Sequence, residues 1–279
     1  MKTKEIIFKS LFAMAITGLL LGGCRKKEEA DEDSQAGSDQ SQAEAYSNDA
    51  ANIADAAAKG TVDYKLAPGY DDLNPLGTCA TVSKDSSQKP TYKITVSFGA
   101  TNCLCKDGRY RRGDIIITHT GNYFASGAKK TVTFNNYYVN DNHVEGTKTI
   151  TNNGKNSAGH FSWSVDVQNM KITRTDGKFH TWNSQRTREM IAGDSTLTWN
   201  DDVYLITGSA NGTNINGVTY SANITVALKR ALSCKWFLSG TVEITPGSKA
   251  TRSLDFGNGN CDDDATVTIK GKSFPIKLH

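Results

Sequence analysis

From about residue 77 onward apolar and polar residues alternate. Tyr92, Ile94, Val96 and Phe98 are separated by Lys93, Thr95 and Ser97, and the same period returns at Val132 and Phe134, Phe161 to Val167, Tyr220 to Leu228, Cys234 to Ile244 and Ala265 to Ile269. Successive side chains on a strand point to opposite faces, so each segment predicts a strand with one dry and one wet face. Strands of that kind belong to antiparallel sheets. Phe161 to Val167 keeps its apolar residues on odd positions, whereas Met170 and Ile172 are even, which predicts a bulge near Gln168-Asn169. Asp176-Gly177 reads as a two-residue hairpin turn into Phe179 to Met190. Further Asn, Asp and Gly clusters cut the body into short segments. The expected fold is all-β: an antiparallel β-sandwich or partly open β-barrel of roughly a dozen strands, with no long helix.

The chain before this body reads differently. Residues 25 to about 59 are rich in Ala, Asp, Glu, Ser, Gln and Asn and almost free of aromatic or branched apolar residues. Such a segment buries too little apolar surface to offset its ordering entropy, so a disordered acidic tether is expected over 24–60. Within it Asp49 to Lys59 is Ala-rich and can form a short helix that stops at Gly60.

Farther upstream, Lys2, Lys4 and Lys9 precede the apolar run Leu11 to Leu21, the order of a secretory signal. The run is shorter than the ~20 apolar residues that a membrane-spanning helix needs. It ends in Leu21-Gly22-Gly23-Cys24, and here the chain resembles the bacterial lipoproteins, whose lipobox is a Leu, two small residues and a Cys. The resemblance implies cleavage after residue 23, a diacylglyceryl thioether on Cys24 and acylation of the new N-terminus; stable anchoring takes two or more chains, so palmitate-type chains on Cys24 would keep the protein on a membrane. Arg25 follows the Cys where an Asp would suggest inner-membrane retention, so the resemblance implies the outer membrane. The acidic cluster Glu28 to Asp33 looks like the export signal of surface-exposed lipoproteins; it fits a solvated spacer on a periplasm-facing protein equally well. The expected organisation is therefore a signal over 1–23, the tether over 24–60 and a β body over 61–279.

Charge separates these parts. From Cys24 to Lys59 four basic and nine acidic residues give a net −5, whereas the body is mildly basic with its Lys and Arg scattered. That scatter predicts no nucleic-acid partner. The one cluster, Lys106 with Arg109, Arg111 and Arg112, reads as a solvated loop.

Five cysteines follow Cys24, an odd number in an oxidising compartment. A weak internal echo places a strand, a Phe-Gly turn and a Cys at matching offsets: Phe98-Gly99 before Cys103 and Phe256-Gly257 before Cys261, each with an upstream Cys. If the two copies fold alike, Cys79 pairs with Cys103, Cys234 pairs with Cys261, and Cys105 is free. The alternative pairs Cys79 with Cys105.

Candidate chemistry is sparse. Trp163 and Trp236 lie on the dry phase of their strands and read as core, whereas Trp182 and Trp199 have polar neighbours and are the candidates for an exposed ligand-stacking face. Asp262, Asp263 and Asp264 could offer oxygens to Ca²⁺, although their spacing does not match a calcium loop. Arg186, Arg188 and Glu189, with Asp166 across the hairpin, read as opposite charges on a wet face. The histidines are dispersed, and no nucleophile motif, phosphate loop or zinc spacing occurs. No cofactor is expected. These features predict a lipid-anchored envelope protein acting as a non-enzymatic binding or structural module with a glycan or protein ligand. The other readings are a glycan-active enzyme on the sandwich and a periplasmic carrier or chaperone with an open barrel.

Overall fold

The structure is a computed structural model and describes residues 33–59, 79–87, 89–120, 125–196 and 201–278. The signal segment, Cys24 and Trp199 lie outside the described residues. One helix, α1 (Gln35–Lys59), comes first. The strands follow as β1 (Thr81–Asp85), β2 (Thr91–Ser97), β3 (Cys103–Leu104), β4 (Tyr110–Thr120), β5 (Lys129–Val139), β6 (Asn142–Lys155) and β7 (Phe161–Thr173). The second half supplies β8 (Phe179–Ala192), β9 (Val203–Thr213), β10 (Thr219–Ala231), β11 (Ser239–Pro246), β12 (Arg252–Asn258), β13 (Asp264–Ile269) and β14 (Lys272–Lys277).

All described strands join one antiparallel sheet ordered β1-β2-β4-β5 and onward to β14, with the two-residue β3 pairing only β4. Apart from β2, which passes over β3 to pair β4, each strand pairs its successor, the signature of a meander in which hairpins set the register. No ladder joins β1 to β14, so the sheet is open. Residues on the inner phase are buried: Ile94 and Val96, Ile115 and Ile117, Trp163 and Val165, Val242 and Ile244, Leu254 and Val267. The outer phase carries Thr147, Thr149 and Thr151 on β6 and Ser162, Ser164 and Asp166 on β7. A lipid-facing barrel would need an apolar band there.

What fills the inside is α1. Over 35–59 the expected tether is replaced by a helix of 25 residues, about 37 Å long at 1.5 Å per residue, which contains the short helix expected at Asp49 to Lys59. None of its described side chains is exposed, and Ala43, Ile53 and Ala54 are wholly buried. It contacts strands from β2 to β11, and the Cβ that Gly37 lacks would lie 2.8 Å from Cγ2 of Val267 on β13. One element can touch strands so far apart in the sheet order only if the sheet curls around it. The small side chains Ala36, Gly37, Ala43, Ala50, Ala51, Ala54 and Ala57 let the strands approach the helix backbone. The half-buried residues Ser38, Gln42, Ala45, Asn48, Asn52 and Ala56 recur every three or four positions and so form one stripe. Part of it lines a cavity with Arg109 and Trp236 and with Leu278 beyond β14. Lys235 lines the same cavity, and its Nζ donates to the carbonyl of Asp107 at 3.2 Å.

The remaining expectations divide. The bulge stands: register breaks between Val167 and Met170, with Asn169 at φ 53°. The β7–β8 turn is longer than expected, because Arg174 and Lys178 bond around three residues and Gly177 adopts φ 80°. Extra twist at a G1-type bulge accounts for the added residue. On β10 the alternation fails at Val226, which is exposed between two register shifts. Cys234 to Leu238 is a loop, and β11 starts only at Ser239. Gly113 marks a third irregularity: at φ 83° its missing Cβ would sit 1.9 Å from the carbonyl oxygen of Asn136, so no other residue fits. Both disulfides of the first pairing are formed, Cys79–Cys103 and Cys234–Cys261, with Cα separations of 5.7 and 5.8 Å, and Cys105 is a buried free thiol.

Candidate functional site

The chemistry of the molecule is concentrated where α1 meets the inner face of the sheet. The helix brings Asp39, Glu44, Asp49 and Asp55, all buried. At 100° per residue Glu44 and Asp55 fall within about 20° of each other, while Asp39 and Asp49 each point more than about 100° away from that pair, so no single wet face could serve all four. The strands answer with inward cations: Arg111 on β4, Lys130 on β5, Lys148 on β6, Arg186 and Arg188 on β8, Arg230 on β10 and Arg252 on β12, all buried.

Asp49 is the most heavily used. Its Oδ1 accepts from Arg109 Nη1 at 3.1 Å and Arg111 Nη2 at 2.7 Å, and its Oδ2 accepts from Arg111 Nε at 3.3 Å. Asp107 grips the other side of Arg111 at 2.6 and 2.8 Å. Burial pulls the Arg111 guanidinium toward neutrality, but Asp49 and Asp107 outweigh it and hold the group well above its ordinary value. Burial likewise works to raise Asp107, and Arg111 and Arg109 hold it below the usual carboxylate range. Glu44 pairs with Arg186, and Asp55 pairs with Lys130 and, at 3.6 Å, with Arg188. Buried pairs of this kind add little net stability when intact, but breaking one strands a charge in a dry place.

Polar side chains lock the helix in register. Trp182 Nε1 donates to Gln40 Oε1 at 2.8 Å, His180 Nε2 lies 3.0 Å from Gln42 Oε1, and Asn142 Nδ2 donates to Tyr46 Oη at 3.0 Å. Near the helix start, the backbone N–H of Ile215, in the β9–β10 turn, donates to Asp39 Oδ2 at 2.8 Å. Burial raises Asp39 above its ordinary value despite that bond.

Arg230 and Lys148 stand outside this pairing. Arg230 Nη1 donates to the carbonyl of Trp236 at 2.7 Å, and Lys148 bonds to Ser47, to the carbonyl at 2.8 Å and the hydroxyl at 2.9 Å, with no carboxylate among the described residues meeting Lys148. Burial, aided by Arg188 and Lys130 and opposed by Glu44 and Asp55, pushes its ammonium down to about 7 from 10.5. The unfolded chain therefore holds more protons than the folded one between about pH 7 and pH 10, and stability rises with pH across that window. Below pH 7 both states are protonated and the contribution is flat. The slope expected from this one group is at most about 1.4 kcal/mol per pH unit, and Lys235, also lowered mainly by burial, adds with the same sign. In low salt, Lys148→Met should remove most of the rise in the urea midpoint between pH 7 and pH 9.5; an unchanged slope would show that the ammonium is not buried.

Several sequence expectations change here. Trp182 is 1% exposed and belongs to the core, because its indole N–H finds a partner on α1 that polar sequence neighbours could not reveal. Arg109 and Arg111 are buried rather than solvated. Arg186 and Arg188 point inward with Trp182, while Glu189 faces out to His160 at 2.7 Å and Asp166 faces out to Gln168. Trp163 is core as expected, and Trp236 is partly buried against it. Asp263 and Asp264 both bind Lys277, at 2.6 and 2.7 Å, and Asp262 caps its own turn through the N–H of Asp264. An ammonium thus stands where the calcium candidate would need the cation. Among the described residues no cluster of His, Cys, Asp and Glu is close enough to hold a metal ion. The signal that could have exposed the site was present: Lys130, Lys148, Arg186, Arg188 and Arg252 all fall on the phase of their strand's apolar residues.

No family model, curated protein or solved structure matches this chain.

Proposed function

We propose that this protein is a lipid-anchored envelope module without catalytic activity, which meets a glycan or protein partner through its outer surface and loops. The observation that carries this reading is the enclosure of α1. The space that an open-barrel carrier would keep for an apolar cargo is occupied by a helix held by ion pairs to β4, β5 and β8. Two cavities beside it, of about 30 and 20 Å³, are lined partly by charged side chains and are of water size. The outer phase of polar strands leaves the anchor as the membrane contact. Eight residues separate Cys24 from Asp33, so a lipidated Cys24 would hold the body within about 30 Å of the bilayer.

Expression in a Gram-negative host tests the reading. The mature N-terminus should be an acylated Cys24, and Cys24→Ala should shift the protein from the membrane to the soluble fraction. A mature chain starting elsewhere without acyl chains would overturn the anchor. Protease treatment of intact cells distinguishes the two faces of the outer membrane, and turnover of a glycan would favour the enzyme.

A further inference from the structure

A second cavity, of about 20 Å³, lies between α1, β6 and β8. We propose that it is a binding site for a halide-sized monovalent anion, held by Lys148, Arg186 and Ser184. Glu44 also lines this space, but its carboxylate is taken up by Arg186 Nη2 and Gln40, and more donors than acceptors face the cavity. Among the described residues Lys148 Nζ hydrogen-bonds to Ser47 alone, so one ammonium N–H is left over and its charge meets no carboxylate there. Arg186 spends Nη2 on Glu44, while its buried Nε and Nη1, like the buried Ser184 hydroxyl, find no partner among the described residues. All three residues line the same cavity, with Ile150, Val165 and Ile206 as apolar walls.

Buried donors left without acceptors are costly, and a charge without a counter-charge is more so. A water could accept from two of these donors but would leave the Lys148 charge uncompensated. A monovalent anion accepts from all of them and cancels that charge. Phosphate or sulfate would bring a second negative charge beside the Glu44 carboxylate, for which the site holds no counter-charge. The charged groups facing Lys148 are Glu44 and Asp55 from α1, Lys130 from β5 and Arg186 and Arg188 from β8. The anion therefore binds with Lys148 protonated, more tightly at pH 6 than at pH 9, and halide flattens the alkaline rise in stability described above.

The test is the melting temperature of the whole soluble body in sodium chloride against sodium gluconate at equal ionic strength. Gluconate is too bulky to enter. At pH 6 chloride at tenfold its dissociation constant should raise the midpoint by about 3 °C, with a smaller rise at pH 9. Lys148→Met should abolish the chloride-specific increment. Equal midpoints in the two salts at pH 6, or an increment unchanged in the variant, would overturn the proposal. Crystals grown in sodium bromide give a reading independent of any variant. An anomalous peak within hydrogen-bond distance of Lys148 Nζ and Arg186 supports the site, and a water there without anomalous signal refutes it.

Discussion

Deleting residues 33–59 is expected to abolish cooperative folding of the strands. All strands of the described residues lie in one sheet, so its inner face packs on α1 rather than on a second sheet. Its apolar residues, Ile94, Ile117, Trp163, Val165, Val242 and Leu254 among them, share one core cluster with Ala43, Ala50, Ile53 and Ala54 of α1. Removing the helix opens that core to water and leaves Arg111, Lys130, Arg186 and Arg188 facing one another without Asp49, Asp55 and Glu44. Both changes act against the same marginal stability of about 5–15 kcal/mol, and either could exceed it. The shortened chain should show no sigmoidal urea transition and should bind a hydrophobic dye. Adding a synthetic peptide of residues 33–59 during refolding should restore the transition. A truncated protein that melts cooperatively near the parent midpoint would show the helix to be an accessory.

The second large effect is expected at Asp49. Asp49→Ala removes a carboxylate from both Arg109 and Arg111, deep in the structure, and leaves Asp107 to serve the two guanidiniums. Stranding buried charges in this way costs about 3–5 kcal/mol. Asp194→Ala is the matched control: its partner Lys155 is half exposed, and losing such a pair costs at most about 1 kcal/mol. Urea unfolding of the two variants reads the difference. Comparable small losses in both would mean that water reaches Arg109 and Arg111.

The strands were legible because period two is a direct consequence of strand geometry, and the inner phase of β2, β7 and β13 is the apolar phase of the sequence. The bulge at Gln168-Asn169 was legible for the same reason, since one inserted residue flips every later side chain. The helix was legible only in part. Its buried face is made of alanines and acids, and in a sequence those residues signal solvent. A helix bound on all sides by a curled sheet reverses that rule: small residues let the strands close in, and acids are neutralised by partners about 60 to 140 positions away in the chain, such as Asp49 with Arg109 and Glu44 with Arg186. Trp182 was misassigned by the same mechanism, because the acceptor for its N–H is Gln40, 142 positions earlier. Local pattern carries no information about such pairings. The inward cations do leave a trace, as charges on an otherwise apolar phase, and together with an acidic segment elsewhere they mark a buried polar interface.

Hydrogen exchange at the α1 amides reads the enclosure of the helix most directly. If the sheet is wrapped around it, the amides of Gln40 to Ala57 should exchange only as fast as the whole sheet unfolds, with the same urea dependence as those of β5 and β7. Exchange of these amides at the rate of a free peptide, while the strands stay protected, would contradict it and make the segment a loose leader after all.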